Sequence, residues 1–553
     1  MPKRAANTLS LLPMLIVLLA LAARLVPGPR TIDDAFITFR YARNILAGNG
    51  LVFNPGEHVL GTTTPFYAFL LTVLGLFTGG VSAPFPLIAL LINALADSLT
   101  CLLLLHLGKR LGSTRAGLGA ALVWSIAPFS VTFAIGGLET SLYVLLLTAA
   151  VAAHLEKRHA LTALLGALAL LTRPDALILL APLALDRVIQ LVGPIRVPAL
   201  GLSAFHALSI PARQRPDERS PKAFWREIAT FSLPILVWAS VSTAYYGSPI
   251  PNSIAAKSLA YRLPGNTAFI RLLQHFATPF LGNLTFGVTW IAVGFVLFPF
   301  LFLIGARQAT RQAPHSWPWL AYPWLYFAAF ALAHPLIFRW YLTPPLPAYI
   351  LVILLGADRL LSDLFSVRDK QTNRRRFRRS FTPALLFAIV IASPVLLNLR
   401  GWELHPDHGL VRPSPEMAWY KLELLYRQAA DSLASDIKAY VDQHGGELPV
   451  LAAGDVGVLG YYTPARILDT VGLNSPESLH YYPLDPSDYV INYAIPPDLI
   501  MDRQPDFIVI LEVYGRLGLL RNPRFHESYH LRQKIPTDIY GSDGMLIFER
   551  NSN

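Results

Sequence analysis

Two adjacent carboxylates, Asp33 and Asp34, follow an N-terminal apolar run and head an amphipathic stretch, residues 35–46. A carboxylate there can take the proton of an attacking hydroxyl, or help hold a hard cation through oxygen. Four further segments carry polar residues of unusual type between apolar runs. GGLET supplies Glu139, LTRPDA supplies Arg173 and Asp175, YYGSPIPNSIAAKSLAY supplies Asn252 and Lys257, and HPLIFRWYLTPP supplies His334 and Arg339. Each alone has a plain structural use: Asp33, Asp34 or Glu139 can cap a helix, and Arg173 or Arg339 can reach from an apolar span to an interface. As a set gathered at one membrane depth they are costly, and such sets mark function.

The elements that position these groups are those of a membrane protein. The 553 residues are 53% hydrophobic and only 15% charged, with a mean hydropathy of +0.44, which excludes a soluble globular chain. The net charge of +11 does not point to nucleic acid, because the basic residues concentrate in loops between apolar runs. The single cysteine, Cys101, sits inside an apolar run and excludes both a disulfide framework and a cysteine metal cluster.

Placing Lys and Arg on the cytoplasmic side predicts a polytopic α-helical protein of the plasma membrane with its N terminus inside. Eleven spans result, at residues 9–27, 84–107, 116–135, 138–154, 161–171, 176–185, 228–245, 280–304, 319–333, 344–361 and 382–397. The first is read as an anchor, not a cleaved leader, because apolar spans continue for hundreds of residues. The basic stretches 187–226 and 368–379 fall inside, and every polar candidate above falls on the outer face. Residues 35–46 form a helix lying on the membrane surface in the first outer loop, and 64–78 a second interfacial helix opened by Thr64-Pro65.

Residues 1–398 thus form the membrane region, and residues 399–553, which lack any spanning run, a small extracytoplasmic α/β domain. A helix is expected at 416–441 and strands at 450–453, 506–511 and 545–548. Gly454, Gly457 and Gly460 lack the GxGxxG order and are read as backbone turns, so no nucleotide is implied.

The segments DDAFITFRYARN with NGLVFNPGE, GGLETSLY, LTRPDA, YYGSPIPNSIAAK and FRWYLTPPLP resemble the membrane glycosyltransferases of the GT-C class. They are most similar to the branch of the mycobacterial terminal β-(1→2)-arabinofuranosyltransferases. The resemblance covers roughly residues 10–350, with a weaker echo at GDVGVLGYYTPARILDTVGLN, and DDAFITFRYARN is its specific piece. It implies an inverting transferase that uses a polyprenyl-phosphate sugar donor and an envelope glycan, lipid or protein acceptor. It also implies an acidic base in the first outer loop, and favours Asp33 over Asp34.

That chemistry assigns roles to the remaining residues. Arg339, Lys257 and Arg173 would meet the negative charge developing on the leaving phosphate. Glu139, Asp175 and Asn252 are further site candidates, and His334 is open to acid, orienting or metal-binding use. Asp33, Asp34, Glu139 and His334 form the candidate set for a divalent cation, Mg, Mn or Ca. Two other classes fit less well: a lipid or sugar transporter or flippase, which would place polar groups at the midplane in two matching halves, and a non-catalytic wall-binding protein.

Overall fold

The computed structural model describes residues 3–192, 221–280, 287–365, 382–404 and 412–551, with a two-residue strand pair at Val367–Arg368 and Arg375–Arg376. Of the two expected basic cytoplasmic stretches, residues 193–220 and most of 368–379 lie outside the described residues.

The helices run in the order α1 (Lys3–Leu25), α2 (Asp33–Leu46), α3 (Pro65–Phe77), α4 (Phe85–Arg110), α5 (Thr114–Ile126), α6 (Pro128–Ile135), α7 (Thr140–Leu155) and α8 (His159–Thr172). There follow α9 (Leu177–Val192), α10 (Pro221–Tyr246), α11 (Asn252–Ala260), α12 (Thr267–Ala277), α13 (Val288–Gln312), α14 (Trp317–Ala333), α15 (Leu346–Leu364) and α16 (Thr382–Arg400). Each of the eleven apolar runs is helical over most of its length. Among the described residues four helical segments are long and apolar enough to cross a membrane: α4, α10, α13, and Arg339–Leu364, which contains α15. The run expected at 116–135 is a fifth if its two halves are one span, for it bends by 45° between α5 and α6. The break has a local cause, since Pro128 has no N–H to give the preceding turn.

Close approach and buried ion pairs hold the helices, the Arg24–Asp97 pair among them. Gly305 on α13 and Gly356 on α15 face each other so closely that a Cβ on either would meet backbone of the other helix, and Gly108 and Gly117 do the same for α4 and α5. Asp97 on α4 accepts Arg24 Nε of α1 at 3.1 Å, Trp124 Nε1 of α5 at 3.1 Å and Ser141 Oγ of α7 at 2.8 Å. The Arg24 guanidinium also donates to the Ser125 carbonyl at 2.5 Å and to Ser130 Oγ at 2.8 Å. Both side chains are fully buried, so this pair is tolerable only because nearly every donor and acceptor is met.

The C-terminal unit places α17 (Lys421–Gln443) and α18 (Gly457–Tyr462) against a five-stranded sheet. Its strands are β1 (Val450–Ala453), β2 (Arg466–Asp469), β3 (Phe507–Leu511), β4 (Tyr529–Ile535) and β5 (Met545–Arg550), in the spatial order β2-β1-β3-β5-β4. β1 pairs in parallel with β2 and β3, while β5 is antiparallel to β3 and β4. The three expected strands are present, and β2 and β4 are additional.

Two local expectations are overturned where α2 meets this unit. The segment 35–46 does not lie on an open surface: α2 has most of its residues buried, with helices on one side and α18 on the other. Its charged residues serve that contact. Arg40 donates to the carbonyls of Phe53 at 2.7 Å, Gly460 at 2.5 Å and Ala465 at 3.2 Å, and Arg43 to that of Tyr461 at 2.7 Å. Gly457 and Gly460 are likewise not turns. They sit in α18 with ordinary backbone angles, and a Cβ on Gly457 would strike the Asp33 backbone while one on Gly460 would strike Arg40. Glycine is needed there for close approach, not for conformational freedom.

Candidate active site

The two carboxylates that head α2 point to different places. Successive residues on a helix stand about 100° apart, so one of an adjacent pair can enter a packed contact while the other meets solvent. Asp33 is buried, and its carboxylate accepts the backbone N–H of Gly457 at 2.9 Å and of Val458 at 2.7 Å, the free N–H groups opening α18. Its own N–H donates to Glu423 Oε1 of α17 at 3.3 Å. Burial, then the nearby Asp455, push the Asp33 carboxyl well above the usual carboxylate range, against the pull of the two N–H groups.

Asp34 faces a cavity of about 630 Å³ between the helices and the C-terminal unit, lined also by Glu139, Arg173, Asp175, Lys257 and His334. Its side chain is 36% exposed, and Lys257 Nζ of α11 stands 3.9 Å from Oδ2. Burial works to lower the Lys257 ammonium, but Tyr341 and Asp34 outweigh it and hold its pKa above the ordinary value. The ammonium lies 5.1 Å from the Phe338 ring centre. Lys257 is thus a charged, half-shielded donor beside an accessible carboxylate.

Arg173, at the turn between α8 and α9, is committed differently. It forks onto Asp175 at 2.9 and 3.1 Å, and its Nη1 stands 3.5 Å from Glu139 Oε1. Tyr326 fixes the cluster, its single hydroxyl proton shared between Asp175 at 3.1 Å and the Tyr341 carbonyl at 2.7 Å. His334 ends α14 in the left-handed region at φ 48°, and its Nε2 is buried without a hydrogen bond among the described residues. A strained, unpaired imidazole on a cavity wall is a functional signal.

The structure therefore brings together Asp34, Glu139, Arg173, Asp175, Lys257 and His334, and separates three other candidates from them. Asp33, which the resemblance favours as base, is closed off as described, with both carboxylate oxygens on the N–H groups of α18. Asn252 is occupied by the carbonyls of Gly472 at 2.5 Å and Leu473 at 3.1 Å, holding α11 to the C-terminal unit. Arg339 lines a second, neighbouring cavity. The four-residue metal set does not fit an ion: among the described residues no three His, Cys, Asp or Glu side chains converge as ligands, because Asp33 is capping a helix and Glu139 is paired with Arg173. Thr62, Thr64, Ser253 and Tyr341 also line the cavity and were not singled out. Hydroxyls are common in loops, and only the GTTTP, PNSIAAK and FRWYL segments around them set them apart.

Comparison with known proteins bears on the fold. A family described as a domain of unknown function, DUF8728, matches residues 422–548, the C-terminal unit. A terminal beta-(1->2)-arabinofuranosyltransferase of Mycobacterium tuberculosis is 38% identical over 118 residues, which is 20% of this chain and 18% of that protein. The match thus spans about a fifth of the curated relative's length. ArnT from Cupriavidus metallidurans, solved with undecaprenyl phosphate, superimposes with a TM-score of 0.53 at 14% identity over 98% of both chains. The Archaeoglobus fulgidus oligosaccharyltransferase, solved with Zn and sulfate, gives 0.54 at 13% identity over 97% of this chain and 72% of that one. The chain resembles the GT-C transferases: it is a multi-pass membrane protein with their helical fold and a C-terminal unit.

Proposed function

We propose that this protein is an inverting glycosyltransferase that moves a sugar from a polyprenyl-phosphate donor to an extracytoplasmic envelope glycan, lipid or protein. The observation that carries the reading is the accessible Asp34 carboxylate with Lys257 Nζ 3.9 Å away in one cavity of about 630 Å³. Asp34 takes the proton of the acceptor hydroxyl as its oxygen bonds to the anomeric carbon, and the carbon–oxygen bond to phosphate breaks on the opposite face. The departing electron pair settles on the phosphate, where Lys257 meets it. Arg173, already forked onto Asp175, holds the cavity wall and adds positive potential without presenting a free fork. ArnT, with its undecaprenyl phosphate, supports the donor class, and the segment shared with the mycobacterial enzyme supports arabinofuranose as the sugar.

This reading puts the cavity outside, the N terminus in the cytoplasm and the C-terminal unit outside. Alkaline phosphatase fused to the C-terminal end should be active, and fused after Arg376 it should not. The decisive experiment incubates the full chain in lipid nanodiscs with a panel of polyprenyl-phosphate sugars. Release of polyprenyl phosphate by mass spectrometry, with inverted configuration in the product, is expected. Consumption of no donor in the panel would sink the proposal.

A further inference from the structure

The second cavity, of about 400 Å³, adjoins the first along Tyr261, Leu336 and Trp340 and opens between the helices and the C-terminal unit. That volume lies within the usual span of ligand pockets, roughly 300–1,000 Å³. Arg271 of α12 and Arg339 lie on its helical side, and Glu423 and Asp455 on the side of the C-terminal unit. Among the described residues Arg271 makes no hydrogen bond or ion pair, and Arg339 makes only a 3.5 Å contact with the Met417 carbonyl.

Two guanidinium groups facing one cavity with no carboxylate partner repel each other while they lose water. Burial first, and Arg339 second, depress the basicity of Arg271. An anion placed between them removes both penalties, and the planar fork of Arg suits a carboxylate or phosphate. Neither carboxyl of the opposite wall pairs with them: Asp455 is taken up by the Tyr426 and Tyr514 hydroxyls at 2.7 and 3.5 Å. Burial pushes Glu423 up to about 8, so at neutral pH it is largely a protonated acid, and its Oε2 is buried without a partner among the described residues. Such a group offers a hydrogen bond to a hydroxyl. Trp340, Tyr261 and Tyr493 add flat apolar faces of the kind a sugar ring covers.

We infer that the second cavity receives the acceptor and that the acceptor is an anionic glycan, its carboxylate or phosphate clamped between Arg271 and Arg339 while its hydroxyls meet Glu423 and the aromatic wall. The inference rests on the first cavity being the donor site, since the shared wall then sets an acceptor hydroxyl beside Asp34.

The test needs no donor. Tryptophan fluorescence of the full chain in phosphatidylcholine nanodiscs is titrated with trigalacturonate, a phosphorylated galactotriose and uncharged galactotriose. At least one of the two anionic sugars should bind about tenfold or more tightly than the neutral one, the scale of one charge-assisted contact. Arg271→Ala and Arg339→Ala should each erase that preference, and Arg271→Lys should keep part of it. Equal binding of all three sugars by the unaltered chain, or a preference surviving both alanine variants, would overturn the inference. So would displacement of the anionic sugar by dihexanoylphosphatidylglycerol below its micelle threshold, for that would mark a lipid-headgroup site. The ligand comparison uses the unaltered chain, so it stands even if a variant misfolds. Donor turnover without anion preference sinks only this inference, whereas anion preference without turnover of any donor sinks the proposed function and, with it, the acceptor role of the anion-binding cavity.

Discussion

The Asp33 carboxylate and the Gly457 N–H meet at 2.9 Å across 424 residues of chain, and this contact fixes where Asp34 can act. With Asp33 capping α18, α2 cannot rotate, and Asp34 is held toward the cavity that contains Lys257. One carboxylate of the pair anchors and the other is left free.

Amide substitutions separate the two roles. Asp34→Asn cannot accept the acceptor's proton, so turnover should fall at least about a hundredfold with the melting temperature unchanged. Asp33→Asn keeps one acceptor for two N–H groups, so it should lower the melting temperature and leave a larger share of turnover. Initial rates and thermal unfolding of both variants check this. Loss of turnover in Asp33→Asn at unchanged stability, with Asp34→Asn active, would reverse the assignment.

The two cations of the first cavity should also behave differently. Lys257→Ala removes the donor that meets the leaving phosphate, so it should raise KM for the lipid donor and lower kcat, about 2–4 kcal/mol in the transition state. Arg173→Ala leaves Glu139 buried without its cation and Asp175 with only the Tyr326 hydroxyl, so its main effect should be on stability. Kinetics and melting of the two variants, measured together, decide whether this division holds.

Much of the frame was legible in the sequence, and what was hidden has physical reasons. The apolar runs announced the helices, and strand β3, FIVIL, is buried at every position and reads plainly as a core strand. β2 and β4 escaped because they are the two edges of the sheet, where RILD and YHLRQKI expose polar residues and show no long apolar run. The DDAFITFRYARN segment signalled importance but not its kind. Asp33, Arg40 and Arg43 contact backbone more than four hundred residues away, and no local pattern distinguishes a docking residue from a catalytic one. The departure of Arg339 into a second cavity is equally tertiary, since a single 3₁₀ turn separates the directions of Arg339 and Tyr341.

The Arg24–Asp97 pair gives a prediction about the scaffold. Removing either partner leaves a buried charge uncompensated, so Arg24→Met and Asp97→Leu should each cost about 3–5 kcal/mol. Arg24→Met combined with Asp97→Leu should recover much of that loss, since apolar side chains of similar size need no partners. Thermal unfolding in one detergent across the four members of this cycle measures the coupling. Additive effects would mean that the pair contributes nothing specific to packing.

The contact between α2 and the C-terminal unit should weaken as pH rises. Glu423 touches the Asp33 N–H, and burial lifts its carboxyl from an ordinary 4.5 to about 8, while Asp455 beside it is lifted from 3.8 to about 6. The groups facing this cluster are Asp33 and Asp34 on α2 and the Tyr426 and Tyr514 hydroxyls, which hydrogen-bond Asp455 at 2.7 and 3.5 Å. An acid whose pKa is raised by folding binds more protons in the folded than in the unfolded chain, so stability falls with rising pH between the two values and is flat outside them. Asp455 contributes that slope from about pH 4 to 6, and Glu423 from about pH 4.5 to 8. Glu423→Gln cannot ionise and keeps a hydrogen-bonding oxygen, so it should flatten the melting-temperature profile between pH 6 and 8 and be more stable than the unaltered chain at pH 8. Asp455→Asn should flatten only the part below pH 6. A profile that rises with pH over this window, or is unchanged in Glu423→Gln, would show that Glu423 is already ionised in the fold.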